Sequence, residues 1–253
     1  MFGLYFSGTG NTEYCIKKFM SLYCSDAVTL PINDKTALSL LKEHHEIIFA
    51  YPIYYSNLPK IVRDFIVENN TLWRGKKVFI IATMGLFSGD GAGLSSRLLK
   101  KYGADILGGL HIKMPDCICD VKTLKRTESE NRQIVKAATE KIEKAIYQMN
   151  EGHPPQDGIN IFYHMAGLFG QRLWFYRKTL SYSEQLNIDV DACSGCGKCT
   201  ELCPMKNISI IHHKAQASNK CTMCYRCISH CPQKAITLIG KKVLEQHCVD
   251  DYL

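Results

Sequence analysis

Eight of the 13 cysteines lie between residues 193 and 231, in two copies of one motif. Both copies read C-x2-C-x2-C-x3-C-P, and an offset of 28 residues superposes every cysteine and the closing proline. Three thiolates at this spacing lie on one turning loop, which can surround three corners of a small iron–sulfur cube. The fourth ligand must then come from elsewhere. Structural zinc usually takes four ligands from two C-x2-C knuckles, and disulfides need an oxidising compartment, so both alternatives explain the repeat less well.

The segment of residues 189–240 resembles the bacterial-type two-cluster ferredoxins, and each ligand position of that family is a cysteine here. In that family the cysteine before the proline binds the cluster of the other motif. The resemblance therefore implies two [4Fe–4S] clusters, one bound by Cys193, Cys196, Cys199 and Cys231 and the other by Cys221, Cys224, Cys227 and Cys203. The other five cysteines lack such spacing and are interpreted as incidental or small apolar residues: Cys15, Cys24, Cys117, Cys119 and Cys248.

A second group of polar residues follows the first apolar run of the chain. It consists of Ser7, Gly8, Thr9, Gly10, Asn11 and Thr12, and a helix-like segment comes next. Between a strand and a helix, backbone N–H groups and the helix dipole can hold a phosphate. The loop lacks the Gly-Lys-Ser/Thr ending of a nucleoside-triphosphate loop and the third glycine of a dinucleotide loop, because residue 13 is Glu. It therefore predicts a phosphate monoester held by neutral donors; a glycine-rich turn without a ligand is the alternative.

This loop, in a chain where strands and helices alternate, resembles the FMN phosphate loop of flavodoxins over about residues 1–150. The resemblance implies that the loops after the third and fourth strands hold the flavin ring. The residues implied there are Pro52, Ile53, Tyr54, Tyr55, Thr83, Met84, Gly85 and Phe87. Of these, Tyr54, Tyr55 and Phe87 offer ring faces for stacking.

The elements that must position these residues alternate along the first 150 residues. Apolar runs predict strands at 2–6, 27–30, 46–51, 77–83 and 106–112, and amphipathic segments predict helices at 11–22, 35–43, 59–68, 91–102 and 127–149. This alternation is typical of βαβ units in a parallel sheet with helices on both faces. We expect an α/β flavodoxin-like doubly wound sheet, for which the resemblance implies the order 2-1-3-4-5, followed by a small α+β two-cluster ferredoxin domain.

The predicted domains are 1–150 for FMN, 151–188 for a linker with an aromatic-rich helix, 189–240 for the clusters and 241–253 for a tail. The linker is indicated by the polar segment 151–158, which has two prolines. The helix is indicated by a stripe at 4-3-4-3-4 spacing: Phe162, Ala166, Phe169, Leu173, Tyr176 and Leu180. A helix buried between the domains explains it best; a helix lying on a membrane surface and a lid over a cofactor are the alternatives.

Charge and hydropathy exclude some function classes. The net charge of +7 is spread along the chain, which disfavours an iron–sulfur sensor or a nucleic-acid binder. No apolar run is long enough to cross a bilayer, and the first residues lack the basic region of a signal peptide. These features predict a cytoplasmic protein without a transmembrane segment.

The whole chain resembles the flavodoxin–ferredoxin fusion proteins of anaerobic bacteria and archaea. The resemblance implies an electron relay between two [4Fe–4S] clusters and FMN and onward to a redox protein, an acidic one if the surface stays basic. The alternative is an FMN-dependent oxidoreductase that reduces a quinone, nitro compound or enone, with the clusters as the electron entry. The sequence indicates no catalytic acid or base, and it leaves open whether the chain forms a homodimer.

Overall fold

The computed structural model describes residues 1–55, 57–86, 89–160, 162, 163, 165, 181, 182 and 184–253. Five strands form one sheet: β1 Phe2–Tyr5, β2 Thr29–Pro31, β3 Glu46–Pro52, β4 Lys77–Met84 and β5 Asp105–Lys113. Their order is β2-β1-β3-β4-β5, and every neighbouring pair is parallel. The predicted doubly wound sheet and its strand order are confirmed.

Five helices cover the two faces of this sheet, close to their predicted bounds. They are α1 Asn11–Tyr23, α2 Ala37–Glu43, α3 Lys60–Glu68, α4 Gly91–Lys101 and α5 Glu128–Asn150. Strand residues alternate between the faces, so Phe49 of β3 packs in the core with α2, α3 and α4, whereas Ile48 packs in the core with α1 and α5. Within the described residues, no helix has both the length and the apolarity to span a membrane.

The ferredoxin-like region, residues 184–240, is a small α+β unit as predicted. Strand β6 (Asn187–Ile188) pairs antiparallel with β9 (Ile236–Thr237), and β7 (Ile208–Ile211) pairs antiparallel with β8 (Lys214–Ala217). Each cysteine motif contains one short helix, α6 Lys198–Leu202 in the first and α7 Arg226–Ser229 in the second. These elements enclose an apolar core of their own, which includes Ile208, Ile228 and Leu238.

The predicted linker is packed along the edge of the sheet beside β5. The backbone N–H of Gly109 donates to the carbonyl of Pro155, and the N–H of Asp157 donates back to Gly109, both at 2.8 Å. Gly108 and Gly109 permit this, because a Cβ on Gly108 would lie 2.4 Å from the carbonyl oxygen of Pro155 and one on Gly109 would lie 2.6 Å from that of Asp157. Of the aromatic stripe, Phe162 is 80% exposed. Its other members, Ala166, Phe169, Leu173, Tyr176 and Leu180, lie outside the described residues.

The C-terminal segment, residues 243–253, returns to the N-terminal sheet. Val249 and Tyr252 are buried in the core that contains α1 and α5. The guanidinium of Arg132 on α5 donates to the carbonyls of Asp251 and Leu253 at 3.1 and 3.2 Å. Of the residues predicted as a tail, the last few therefore pack against the N-terminal sheet, whereas Val243 is buried in the ferredoxin-like core.

A buried carboxylate joins the N-terminal sheet to the ferredoxin-like region. Asp120, in the loop after β5, is 5% exposed. Its Oδ1 accepts a hydrogen bond from the hydroxyl of Tyr225 at 2.9 Å, and its Oδ2 accepts the backbone N–H groups of Leu238 and Ile239 at 2.8 and 3.0 Å. A buried charge is stable only when it is hydrogen-bonded in this way.

Asp120→Ala should lower the free energy of unfolding by about 3 kcal/mol, because three donors lose their acceptor in a buried place. Tyr225→Phe removes one of the three bonds and should cost about 1 kcal/mol. Anaerobic denaturant unfolding measures both. Asp26→Ala, at an exposed aspartate, is the control. An equal effect of Asp26→Ala and Asp120→Ala on the free energy of unfolding would contradict the role of Asp120 in joining the two regions.

His111 near the end of β5 should make stability depend on pH. Its Nε2 accepts the backbone N–H of Ala92 at 3.2 Å, and burial lowers the pKa of His111 from 6.5 to about 4. The unfolded chain binds this proton near pH 6.5 and the folded chain only near pH 4, so stability present above pH 6.5 is lost as the pH falls toward 4. Between pH 7 and pH 5 the loss should reach about 2 kcal/mol.

Comparison of unfolding curves at these two pH values tests the role of His111. His111→Gln keeps an acceptor for Ala92 but cannot titrate, so its stability should fall less with acidification than that of the wild type. His212→Gln, at an exposed histidine, should behave like the wild type. Equal pH dependence of the wild type and His111→Gln would show that another group is responsible.

Candidate functional site

A cavity of about 270 Å³ lies at the carboxyl ends of the strands, which is where ligands bind in open α/β sheets. We call it the carboxyl-edge cavity. Loops after β1, β3, β4 and β5 form most of its wall, and the second cysteine motif completes it. The lining residues are Ser7, Gly8, Thr9, Asn11, Thr12, Pro52, Ile53, Tyr54, Tyr55, Thr83, Met84, Gly85, Leu86, Met114, Pro115, Asp116, Cys117, Ile118, Leu124, Met223 and Tyr225.

The loop after β1 and the first two residues of α1 form one end of the cavity; we call residues 7–12 together loop 7–12. The hydroxyl of Ser7 is buried and has no hydrogen-bond partner among the described residues. Buried polar groups without a partner are uncommon, because each loses its hydration. Together with the free backbone donors at the start of α1, this hydroxyl fits a ligand group made only of acceptors, such as a phosphate monoester.

Two of the predicted donor side chains bind protein groups instead. The amide of Asn11 donates to the carbonyl of Pro115 at 2.7 Å, and the hydroxyl of Thr12 pairs with that of Thr83 at 2.7 Å. These bonds join loop 7–12 to the loop after β5 and to the end of β4. Their main effect is to hold three walls of the cavity together.

Gly10 is the one described residue of loop 7–12 that does not line the cavity. Its φ of 94° is left-handed, a conformation that favours glycine, and it directly precedes α1. A Cβ on Gly10 would lie 2.5 Å from the side chain of Val249, whose backbone N–H donates to the carbonyl of Thr9 at 3.0 Å. Gly10 therefore allows the C-terminal segment to pack against the outer side of the loop.

The loop after β3 turns tightly toward the ferredoxin-like region. Tyr54 and Asn57 exchange backbone hydrogen bonds, and Tyr55 between them has a φ of 49°. The ring of Tyr55 lies 5.6 Å from that of Tyr182, and both Tyr54 and Tyr55 pack against the ferredoxin-like core. Burial raises the pKa of Tyr54 well above its usual value. Both tyrosines thus lie between the cavity and the cysteine motifs.

The end of β4 contributes the predicted residues Thr83 and Met84, and the loop after it contributes Gly85. A Cβ on Gly85 would lie 2.5 Å from a carboxylate oxygen of Asp116, so a larger residue here would displace the Asp116 side chain. The predicted ring contact Phe87 lies outside the described residues.

The sequence did not predict the wall of the cavity that follows β5, nor the two lining residues from the second cysteine motif, Met223 and Tyr225. The loop after β5 could have been predicted to line the cavity, because β5 ends at the same sheet edge as β3 and β4. Burial raises the pKa of Asp116, although the backbone N–H of Ile118 donates to it at 2.9 Å and opposes the shift. Burial also raises the pKa of Cys117, so this thiol stays protonated and forms an apolar part of the wall.

The eight motif cysteines form two groups. The first cysteine set, Cys193, Cys196, Cys199 and Cys231, lines one small cavity, and the second cysteine set, Cys203, Cys221, Cys224 and Cys227, lines another. All 13 cysteines are in the described part of the chain, and none of them forms a disulfide. No three described His, Cys, Asp or Glu side chains converge on a single metal ion. Four thiols that surround a small cavity suit an iron–sulfur cluster, which fills the space between them. A zinc ion would need the four sulfur atoms to converge on one point at short distances.

The sequence repeat extends to the backbone of the two motifs. Three pairs of residues related by the offset of 28 share a positive φ: Gly195 and Met223, Gly197 and Tyr225, and Lys206 and Lys234. The backbone N–H of Asn207 donates to the Sγ of Cys203 at 3.3 Å, and that of Ala235 donates to the Sγ of Cys231 at 3.4 Å. Such N–H groups stabilise thiolate ligands and tune cluster potentials.

The second cysteine set lies against the carboxyl-edge cavity, whereas the first reaches the surface. Met223 and Tyr225, on either side of Cys224, line that cavity. The carbonyl oxygen of Cys224 lies 2.1 Å from the place where a Cβ on Gly8 would be, so only glycine permits this approach. Cys224 is buried, and Cys196 of the first set is exposed.

One family model and several solved structures match parts of the chain. Residues 185–232 match the family described as "4Fe-4S dicluster domain". No curated protein matches the sequence. Among solved structures, the two-electron reduced flavodoxin of Megasphaera elsdenii has 21% identity and a TM-score of 0.41, and the match covers 55% of this chain and 99% of that flavodoxin.

Two further solved structures match the same half. The flavodoxin of Fusobacterium nucleatum bound to flavin mononucleotide has 15% identity and a TM-score of 0.39, over 60% of this chain and 98% of that one. Rubredoxin oxygen:oxidoreductase of Desulfovibrio gigas has 16% identity and a TM-score of 0.39, over 58% of this chain and 35% of that one. The predicted combination of a flavodoxin-like sheet with a two-cluster ferredoxin segment is confirmed by the strand order and by the dicluster match.

Proposed function

We propose that this chain is an electron-transfer iron–sulfur flavoprotein that relays electrons between two [4Fe–4S] clusters and FMN and exchanges them with a redox protein. When bound, each cluster supplies one-electron chemistry and FMN supplies one- and two-electron chemistry, so together they connect the two kinds of transfer. The observation that carries the proposal is the direct contact between Cys224 and Gly8, which places a cysteine set beside the carboxyl-edge cavity.

The carboxyl-edge cavity has the donors and apolar walls that FMN requires. Loop 7–12 would hold the phosphate through backbone N–H groups and the Ser7 hydroxyl. The loops after β3, β4 and β5 would enclose the ring, with the residues Pro52, Ile53, Tyr54, Tyr55, Thr83, Met84 and Gly85 and, in addition, Pro115, Cys117 and Met223. Apolar walls with a few placed polar groups are typical of cofactor sites.

The two cysteine sets would hold the clusters in different surroundings. The second set is enclosed by the apolar residues Ile208, Ile228 and Leu238, which keep water away from it. The first set reaches the surface at Cys196, where a partner can approach. Exposed lysines accompany it, with Lys198 next to Cys199 and Lys234 close after Cys231. These charges favour an acidic redox protein as the partner.

Ser7→Ala tests whether loop 7–12 binds phosphate. The variant should bind FMN about tenfold more weakly, because one hydrogen bond to a charged group is lost. Without flavin it should be as stable as the wild type, because the Ser7 hydroxyl has no partner to lose. Fluorescence titration and thermal unfolding measure the two effects, and Ser21→Ala on the exposed face of α1 is the control. Unchanged FMN affinity in Ser7→Ala would remove this loop from the site.

Cys203→Ser tests whether Cys203 is a cluster ligand, and it also tests the relay. It should reduce iron and acid-labile sulfide by about half, because one of two clusters loses a ligand. In anaerobic stopped-flow with a low-potential donor, the flavin absorbance of Cys203→Ser should no longer bleach at the wild-type rate. Cys24→Ser, outside both motifs, is the control.

Full iron and sulfide in Cys203→Ser would contradict the assignment of Cys203 as a cluster ligand. Wild-type protein whose clusters become reduced while its bound flavin stays oxidised would contradict the relay. Turnover of a quinone, nitro compound or enone without any protein partner would instead support the alternative of an FMN-dependent oxidoreductase.

A further inference from the structure

Arg226 lies inside the second cysteine motif, but its guanidinium reaches loop 7–12. It donates to the carbonyl of Ser7 and, at 3.3 Å, to the carbonyl of Gly8. A longer bond of 3.5 Å reaches the carbonyl of Leu202, the residue before Cys203. One side chain therefore connects the loop at the cavity with both parts of the chain that supply the second cysteine set.

The two carbonyls of Ser7 and Gly8 belong to the peptide units that carry the N–H groups of Gly8 and Thr9. In a trans peptide the C=O and N–H groups point in opposite directions. A guanidinium on the carbonyl side therefore turns both N–H groups away from itself and strengthens them as donors. Among the described residues, neither N–H has an acceptor, although Gly8 and Thr9 line the carboxyl-edge cavity.

The charge of Arg226 also compensates for the composition of the loop. Residues 7–12 contain no lysine or arginine, so the loop by itself offers a dianion only neutral donors. The cation comes from the other end of the sequence, 219 residues from Ser7, and binds the back of the same two peptide units. A positive charge close to a bound anion lowers its free energy, most strongly where water is excluded.

We propose that Arg226 is the positioning residue that makes this cavity select a phosphorylated flavin over an unphosphorylated one. It does so by aligning the N–H groups of Gly8 and Thr9 and by supplying the positive charge that loop 7–12 lacks. The inference rests on the proposed function, since it concerns the phosphate end of the proposed FMN site. It goes beyond that function in assigning flavin selectivity to a residue of an iron–sulfur motif.

Binding of FMN and of riboflavin, which lacks the phosphate, separates this role from a general structural one. The full-length chain, reconstituted with iron and sulfide and freed of flavin, is titrated with each compound by flavin fluorescence. Arg226→Gln should weaken FMN binding about tenfold or more and leave riboflavin binding unchanged. Arg226→Lys keeps the charge but not the planar fork, and should be intermediate. Arg63→Gln on exposed α3 is the control and should match the wild type.

Iron and sulfide content shows whether each variant assembles; if Arg226→Gln does not, Arg226→Lys decides the question. A ratio of FMN to riboflavin affinity that Arg226→Gln leaves unchanged would overturn the inference. If this happens because both affinities fall equally, Arg226 only supports the fold. A wild-type chain that binds neither flavin contradicts the proposed function itself. An unchanged ratio in a variant that still binds flavin contradicts only the role of Arg226.

Discussion

The close approach of the Cys224 backbone to Gly8 is the constraint on which the arrangement of both halves depends. No side chain fits at residue 8, because a Cβ there would overlap the carbonyl oxygen of Cys224. A contact between two backbones is set by covalent geometry and close packing, and it allows little adjustment. It brings the second cysteine set to the end of the carboxyl-edge cavity, and the neighbouring Arg226 adds hydrogen bonds across the same junction.

Two other parts of the chain keep this junction closed. The loop after β5 supplies Asp120, which accepts bonds from Tyr225 and from the strand-end backbone of the ferredoxin-like region. The C-terminal segment binds the same loop through His247, whose Nε2 lies 2.8 Å from the carbonyl of Asp116, and binds loop 7–12 through Val249. Because the chain passes from the sheet to the cysteine motifs and back again, the cavity has walls from both, and neither half can move away without breaking buried contacts.

The two cysteine motifs have one backbone geometry and two environments. The shared positive φ angles at Gly197 and Tyr225 show that the repeat folds the same way twice. Only the second copy packs against the sheet, so Cys224 is buried while Cys196 is exposed. Solvent exposure and hydrogen bonding set the potentials of iron–sulfur clusters, so tertiary packing gives the two motifs different surroundings for the clusters that they would hold.

Local sequence patterns were enough to predict the strands and helices of the N-terminal sheet, whereas long-range packing decided which residues form the site. Strand and helix periodicity in residues 1–150, the spacing of the eight cysteines and the sequence of loop 7–12 are local features, so each could be recognised from the printed chain. The wall after β5, the places of Met223 and Arg226, and the return of Val249 to Thr9 could not be recognised in this way. Periodicity predicts that a residue will be buried, but it does not predict which residues it will contact. Likewise, nothing in the spacing of Met223 or Arg226 within the cysteine motif indicates a contact with a loop more than two hundred residues away. The amino-acid order therefore determined which chemistry the chain can hold, and only the folded arrangement decided which cysteine set lies beside the cavity.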